Sequence, residues 1–397
     1  MSKTSWLVAA GVACSVILTS PAQGETDPRL KEFAKQKRQE TEQLAAKLHL
    51  DVPPEARAFF KAAEAGDWIS VSNRFGRIWR PTEQHPLRGL DNAMYVPIRD
   101  TFMAYEQFQG WDEILRQKFA DSILSSMPAG SVYFGGTNPG RYFPAVIHDR
   151  ANSPDIFLVS QTDLPTSFYP DYVRLTYGSC LRIPTEKDVN QALCRSGDEV
   201  RSAGPLTMEL NFLTKAIFEY NRDKHEVYVE ESFVIPWMYP YLEPHGLIMK
   251  LNIAPLTQLD PSIVARDRQY WGALTKELLS TPTFLSNEQA RTAYAKLRSA
   301  IAGLYAYRGL TNEAEAVFKQ ALELGPSSLE ANLRLAQLYR DNGRFDDAIA
   351  ILEQLEGRLG GADPWKQKTA EAIAQFREMK RKGGEEQHDA SPPAQSK

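Results

Sequence analysis

A pattern of large, small and glycine positions recurs at an interval of 34 residues near the C-terminus of the 397-residue chain. The recurring pairs are Ala302 and Ala336, Tyr305 and Tyr339, Gly309 and Gly343, Ala314 and Ala348, and Phe318 and Leu352. A fixed period of this length, built from two helical halves, predicts a stack of helix–turn–helix units. No other feature constrains the fold as strongly, because each unit must bury its apolar face against a neighbour.

These positions resemble the motif of the tetratricopeptide repeat (TPR) family over residues 295–328 and 329–362, followed by a capping helix. Small residues are needed where two helices cross closely, and large residues pack between neighbouring helices. The small positions are Ala302, Ala314, Ala321, Ala336 and Ala348, and the large ones are Tyr305, Phe318 and Tyr339. Gly309 and Gly343 end the first helix of each unit, where a left-handed residue favours glycine. The second unit departs from the motif at Leu355 and Gly360.

The resemblance implies a helical solenoid whose groove binds another protein. Two interpretations of the array remain open at this point. In the first, the concave face of the repeats binds a partner. In the second, the array only braces the rest of the chain.

The chain length predicts more than one domain. We expect a helical N-terminal region over residues 25–126 and an α/β domain over 127–258. A helical region containing the repeats and the capping helix follows over 259–382, and a polar, disordered tail over 383–397. The net charge is −4, and no cluster of Lys and Arg stands on one face. Nucleic acid is therefore disfavoured as a partner.

The N-terminus has the pattern of a cleaved signal peptide. Lys3 supplies a positive charge, residues 6–19 form an apolar stretch, and Ala22-Gln23-Gly24 offers small residues for a signal peptidase. An uncleaved anchor is the alternative, although the stretch is shorter than the roughly 20 residues that span a bilayer. We therefore expect residues 1–24 to be removed and the mature chain to be periplasmic or secreted, with no integral membrane span.

Two cysteines, Cys180 and Cys194, would remain after cleavage. An even pair in an oxidising compartment is a candidate disulfide. Closing a loop of about 15 residues would stabilise the chain by roughly 3 kcal/mol in the chain-entropy model. Two unpaired buried thiols are the alternative, and no nearby His or second Cys pair indicates a metal site.

Short apolar runs in the middle of the chain predict strands separated by helices. The runs are residues 131–134, 155–160, 225–230 and 246–251. This alternation favours a small parallel or mixed α/β sheet. The predicted fold class is therefore α/β plus all-α: a small sheet domain flanked by N-terminal helices and a C-terminal TPR helical solenoid.

Polar residues at the carboxyl ends of these strands are the candidate ligand-binding residues, because open α/β sheets bind ligands there. The candidates are Gly135, Gly136, Thr137, Asn138, Gly140, Arg141, Asp163, Glu230 and Glu231. A glycine-rich turn at a helix N-terminus can hold an anion, and Arg141 adds a fork for phosphate or carboxylate. The alternatives are a tight turn without a ligand, and acidic residues that only cap helices or pair with arginine.

The sequence leaves catalysis undecided. Signature motifs of common hydrolases do not occur, no cofactor is implied, and the histidines lack the spacing of metal ligands. Residues 230–246 are dense in aromatic residues and prolines. Such a segment either lines a sugar or peptide groove or packs on the repeats as a lid.

Segments 131–163 and 226–251 resemble an uncharacterised family of exported TPR proteins. They are more distantly similar to the soluble domain of bacterial membrane proteins related to protein O-mannosyltransferases. The similarity lies in Gly136-Thr-Asn138, Ser153-Pro-Asp155 and the 242–246 segment. An acidic residue of that family's first turn is absent here, and its transmembrane catalytic part has no counterpart in this sequence.

Together these features predict an exported TPR protein that binds or scaffolds a protein partner in the cell envelope. The alternative function is a carbohydrate- or nucleotide-sugar-related enzyme with its site at the Gly135–Arg141 turn. A small anionic or sugar molecule is the second expected class of ligand.

Overall fold

The computed structural model describes residues 26–80, 85–86, 90–148, 156–166, 168–195, 205–231, 235–360 and 363–389. Its N-terminal part consists of helices and one two-stranded hairpin. The helices are α1 (Pro28–Leu48), α2 (Pro54–Ala65), α3 (Trp68–Ile78), α4 (Asn92–Gly110) and α5 (Glu113–Leu124), and the antiparallel hairpin joins β1 (Trp79–Arg80) and β2 (His85–Pro86). The predicted signal peptide lies outside the described residues.

A five-stranded mixed sheet forms the middle of the molecule. Its strands are β3 (Val132–Gly135), β4 (Phe157–Ser160), β5 (Val227–Val229), β6 (Leu242–His245) and β7 (Ile248–Leu251), in the spatial order β4-β3-β5-β7-β6. β3 is parallel to both β4 and β5, whereas β7 is antiparallel to β5 and β6. The structure thus selects the mixed sheet from the two alternatives that the sequence allowed.

Helices connect the strands of this sheet. They are α6 (Asn138–Ile147), α7 (Tyr169–Tyr177), α8 (Glu186–Arg195) and α9 (Pro205–Asn221), with a 3₁₀ turn at Tyr239–Tyr241 before β6. α6 packs on α4 and α5, so the sheet is attached to the N-terminal helices through this helix. Cys180 is exposed and forms no bridge within the described part of the chain. The side chain of Cys194 lies outside the described part of the chain, so the disulfide stays a prediction.

The C-terminal part, from Pro261 onward, consists of helices joined by short turns in its described residues. It contains α10 (Pro261–Leu279), α11 (Pro282–Ser286), α12 (Glu288–Tyr307), α13 (Thr311–Leu324), α14 (Leu329–Asp341), α15 (Phe345–Arg358) and α16 (Pro364–Asp389). Consecutive helices from α12 to α16 pack on one another. Gly309 and Gly343 follow α12 and α14 with φ values of 73° and 74°, so each supplies the left-handed residue that ends a first helix.

The predicted start of a disordered tail at residue 383 differs from the structure. α16 continues through residues 383–389, and only 390–397 lie outside the described residues. A helix that is already formed adds further residues at little cost, and two glycines without a proline do not end it here. Within the described ranges, no helix combines the length and apolar character needed to cross a membrane.

One hydrophobic core extends from Leu30 of α1 to Phe376 of α16. α12 lies at its centre, because it packs on the next repeat helices and also on the rest of the chain. Tyr294 of α12 contacts the rings of Trp111 and Phe119, which belong to the N-terminal part. The first repeat helix is therefore packed into the rest of the molecule.

Candidate functional site

The carboxyl ends of β3, β4 and β5 meet at one edge of the sheet. Gly135 is paired with Ser160, and Phe134 is paired with Val229. The predicted site residues that follow these strands therefore lie along the same edge, as the parallel arrangement requires. Their side chains divide into three groups with different partners.

The first group is the glycine-rich turn with Glu230. The Glu230 carboxylate accepts hydrogen bonds from the backbone N–H groups of Gly136 and Thr137, both at 2.9 Å, and from the Thr137 hydroxyl. Tyr133 donates a fourth, longer hydrogen bond from its hydroxyl at 3.3 Å. The turn does hold an anion, but that anion is a carboxylate of the same chain.

Two of the turn glycines leave room for neighbouring side chains. A Cβ atom at Gly140 would lie 1.9 Å from Oε2 of Glu230, and one at Gly135 would lie 2.7 Å from Cγ of Arg141. Both distances are below any real Cβ contact. The glycines thus permit internal packing, which supports the interpretation of the turn as one without an external ligand.

Glu230 is completely buried. Burial raises the pKa of its carboxyl, and the hydrogen bonds from the Thr137 hydroxyl and from the two turn amides oppose that rise. An ionised carboxylate at this position depends on those donors, because a buried charge without partners is strongly disfavoured.

The second group surrounds Asp163. Arg99 of α4 donates to both carboxylate oxygens of Asp163 at 3.0 Å. Arg141 donates to the same carboxylate at 2.9 Å, to Ser160 at 2.6 Å and to Asn138. Burial by itself would raise the pKa of Asp163, but the positive charges of Arg99 and Arg141 outweigh burial and lower it.

This cluster continues toward α1 with alternating charges. Arg99 also contacts Asp100 at 3.1 Å, and Lys37 lies 3.7 Å from Asp100 and 2.9 Å from Glu40. Cations and carboxylates occur in equal numbers, namely Lys37, Arg99 and Arg141 against Glu40, Asp100 and Asp163. The fork of Arg141 is engaged within the chain, and the cluster has no excess positive charge to attract a phosphate.

The third group contains Glu231 and points away from the turn. Its carboxylate binds Nη1 of Arg334 in α14 at 3.0 Å and accepts a hydrogen bond from the Tyr239 hydroxyl at 2.8 Å. Arg334 in turn donates to the Tyr239 hydroxyl at 3.2 Å. Glu230 and Glu231, which the sequence suggested as one site, therefore serve two separate contacts.

The aromatic segment packs on the first repeat helix. Arg308 at the end of α12 donates to the carbonyl groups of Leu256 at 2.6 Å, Tyr239 at 2.9 Å and Pro240 at 2.8 Å. The rings of Tyr239 and Tyr307 are 5.1 Å apart. Of the two interpretations of this segment, these contacts favour the lid on the repeats over the open groove.

The motif positions of the repeats lie inside the helical stack. Each of the following motif positions is at most 4% exposed: Ala302, Tyr305, Ala314, Phe318, Ala321, Ala336, Tyr339 and Ala348. The hydroxyl of Tyr305 donates to Asp267 of α10 at 2.8 Å, and Arg298 binds the same carboxylate at 2.8 Å. The first unit is thus also attached to the helix that precedes it.

The outer end of the repeats carries a concentration of positive charge that the net charge of the chain conceals. Between Lys366 and Lys382, α16 contains six Lys or Arg residues and two Glu residues. A groove of about 430 Å³ between α15 and α16 is lined by Asp346, Ile349, Arg377, Lys380 and Arg381. This positive charge is local to α16, where Arg377, Lys380 and Arg381 pair with Glu353, Asp346 and Glu378.

Comparison with protein families finds a match to the tetratricopeptide repeat over residues 306–378. The matched range runs from the end of α12 into α16, so it includes the second predicted unit and most of the capping helix. No curated protein and no solved structure matches the chain. The similarity of the middle region to the soluble domain of mannosyltransferase-related membrane proteins stays a prediction.

Proposed function

We propose that this chain is an exported protein that binds a protein partner in the cell envelope through its repeats. The observation that carries the proposal is the match to the tetratricopeptide repeat, a module that typically binds other proteins. The pattern of residues 1–24 supports the exported location.

The open surface between α15 and α16 is the place where we expect the partner. The face of α12 and α14 that carries Arg308 and Arg334 already contacts the middle region. The outer groove, in contrast, contains half-buried Ile349 beside the basic residues Arg377, Lys380 and Arg381. This combination fits an acidic segment that also carries an apolar side chain.

Ion pairs within this surface do not prevent such binding. Arg377 pairs with Glu353, Lys380 with Asp346 and Arg381 with Glu378, but all six side chains are largely exposed. Exposed pairs of this kind contribute only about 0–1 kcal/mol each. Carboxylates of a partner can therefore replace them at little cost.

Affinity capture from envelope extract tests the proposal. The mature chain is compared with a double variant, Lys380→Glu with Arg381→Glu, at increasing salt concentration. The control is Arg57→Glu with Lys61→Glu, two exposed cations on α2. We expect a captured protein that rebinds after purification, with binding weakened by salt and by the α16 variant alone. Equal capture by wild type and both variants would reject the proposed surface.

The contacts of the Gly135–Arg141 turn do not support the alternative function, a sugar-related enzyme. The amides of Gly136 and Thr137 are bonded to Glu230, and Arg141 is bonded to Asp163, Ser160 and Asn138. No observation in the described residues favours a substrate at this turn.

A further inference from the structure

Two consecutive glutamates at the end of β5 connect the glycine-rich turn with the repeats. Glu230 is bonded to the turn between β3 and α6, and Glu231 is bonded to Arg334 of α14. Both carboxylates are buried. A single peptide unit therefore joins two contacts that lie in different parts of the molecule.

The backbone of Glu230 is held firmly on both sides. Its N–H donates to the carbonyl of Phe134 at 3.0 Å, and its carbonyl accepts a hydrogen bond of 2.7 Å from the side-chain amide of Gln161. Gln161 also donates to the carbonyl of Phe134 at 2.9 Å. A shift of the Glu231 backbone would therefore pull on this network, because the two residues share a peptide unit.

The contact between Glu231 and Arg334 depends on a glycine in the first repeat helix. A Cβ atom at Gly303 of α12 would lie 1.8 Å from Nη2 of Arg334. The absence of a side chain lets the guanidinium cross α12 and reach Glu231. The position of the Arg334 side chain therefore depends directly on how closely α14 packs on α12.

On the other side, Glu230 fixes the start of α6. The Thr137 hydroxyl donates to Glu230 and also accepts the Gly140 N–H at 3.1 Å, which caps the helix. α6 carries Arg141, one of the two arginines that hold Asp163. The turn, the helix start and the buried charge cluster therefore depend on the position of one carboxylate.

We propose that the Glu230–Glu231 pair transmits the state of the repeats to the Gly136–Thr137 turn, so that loosening the Arg334 contact loosens the turn. This inference does not rest on the partner proposed above. It assigns to Arg334 a positioning role toward a turn in another part of the fold, through contacts that are continuous in the structure.

Amide hydrogen exchange in the full mature chain tests this connection, because the Gly136 and Thr137 N–H groups are themselves the donors to Glu230. Arg334→Gln should raise their exchange rates by about 2- to 30-fold, the range that corresponds to couplings of about 0.5–2 kcal/mol. Arg377→Gln is the matched control, because it removes an exposed ion pair, Arg377–Glu353, at another place on the repeats. It should leave the exchange rates of both amides unchanged.

A second variant avoids removing any charge. Gly303→Ala should displace the Arg334 guanidinium and reproduce the effect at the turn. Gly357→Ala is its control, because a Cβ atom at Gly357 of α15 meets nothing within 4 Å. Exchange of α2 amides reports whether the whole molecule has been destabilised. Faster exchange in the repeats with an unchanged turn, or a uniform increase that includes α2, would overturn the proposal.

Discussion

Replacing Gly140 by alanine should destabilise the protein although alanine is the better helix former. Gly140 lies in α6, so alanine adopts its backbone conformation without strain. Its Cβ atom, however, would lie 1.9 Å from Oε2 and 2.3 Å from Oε1 of Glu230. The carboxylate must withdraw by roughly an ångström, which breaks its hydrogen bonds to the Gly136 and Thr137 amides.

The expected magnitude follows from these two bonds. A hydrogen bond to a charged group contributes about 1.5–3 kcal/mol, and the loss of partners by a buried charge costs about 3–5 kcal/mol in total. The better helix propensity of alanine offsets up to about 1 kcal/mol. We therefore expect the free energy of unfolding to fall by about 2–4 kcal/mol.

Urea unfolding followed by circular dichroism measures this change. Gly272→Ala in α10 is the control, because its Cβ atom would meet nothing within 4 Å. It should stabilise the protein slightly or leave it unchanged. In a Glu230→Ala background, Gly140→Ala should lose its destabilising effect. An equal cost in both backgrounds would refute the clash with Glu230 as the cause.

Four further outcomes are expected. Asp163→Asn should lower the free energy of unfolding by about 3–5 kcal/mol, because it leaves buried Arg141 without a carboxylate and leaves half-buried Arg99 with Asp100 alone. Since the pKa of Asp163 is lowered in the fold, the difference from wild type should be constant above about pH 5 and shrink below about pH 4, as pH-dependent urea titrations would show. Ala314→Leu should overpack a completely buried position and cost about 1–3 kcal/mol. A thermal melt in which all parts unfold together would indicate bracing, and an unchanged melt would contradict the repeat register. Non-reducing mass analysis should show Cys180 and Cys194 bridged, whereas two alkylatable thiols would reject the bridge. Terminal sequencing of the exported protein should begin at or within two residues of Glu25, and a start at residue 1 would contradict cleavage.

Local patterns predicted most elements of the fold. The 34-residue period anticipated α12 to α15, because glycine and alanine positions recur where helices end and cross. Apolar runs anticipated β3, β4, β5 and β7. β6 was missed because Leu242-Glu-Pro-His245 resembles a turn. Pro244 is tolerated there because β6 is the edge strand of the sheet.

The partners of the candidate site residues could not be predicted in the same way. The turn carries a signal for an anion, and nothing local to it shows that Glu230 supplies that anion from 93 residues away. Arg99 and Arg334 lie in helices as ordinary charged residues, and only the packing of α4 and α14 brings them to Asp163 and Glu231. The edge of the sheet at which the candidate residues lie could be predicted from the sequence. Which charged side chains pair with one another there is determined by the tertiary structure.

Photo-crosslinking in native cells tests the proposed partner binding most directly. A crosslinking amino acid at position 381 lines the α15–α16 groove, and one at position 69 in α3 is an exposed control far from it in sequence. We predict a discrete adduct with a second protein from position 381, formed by the exported, processed chain and absent from position 69. An adduct from position 69 alone, or no adduct from position 381 in the exported chain, would contradict the account.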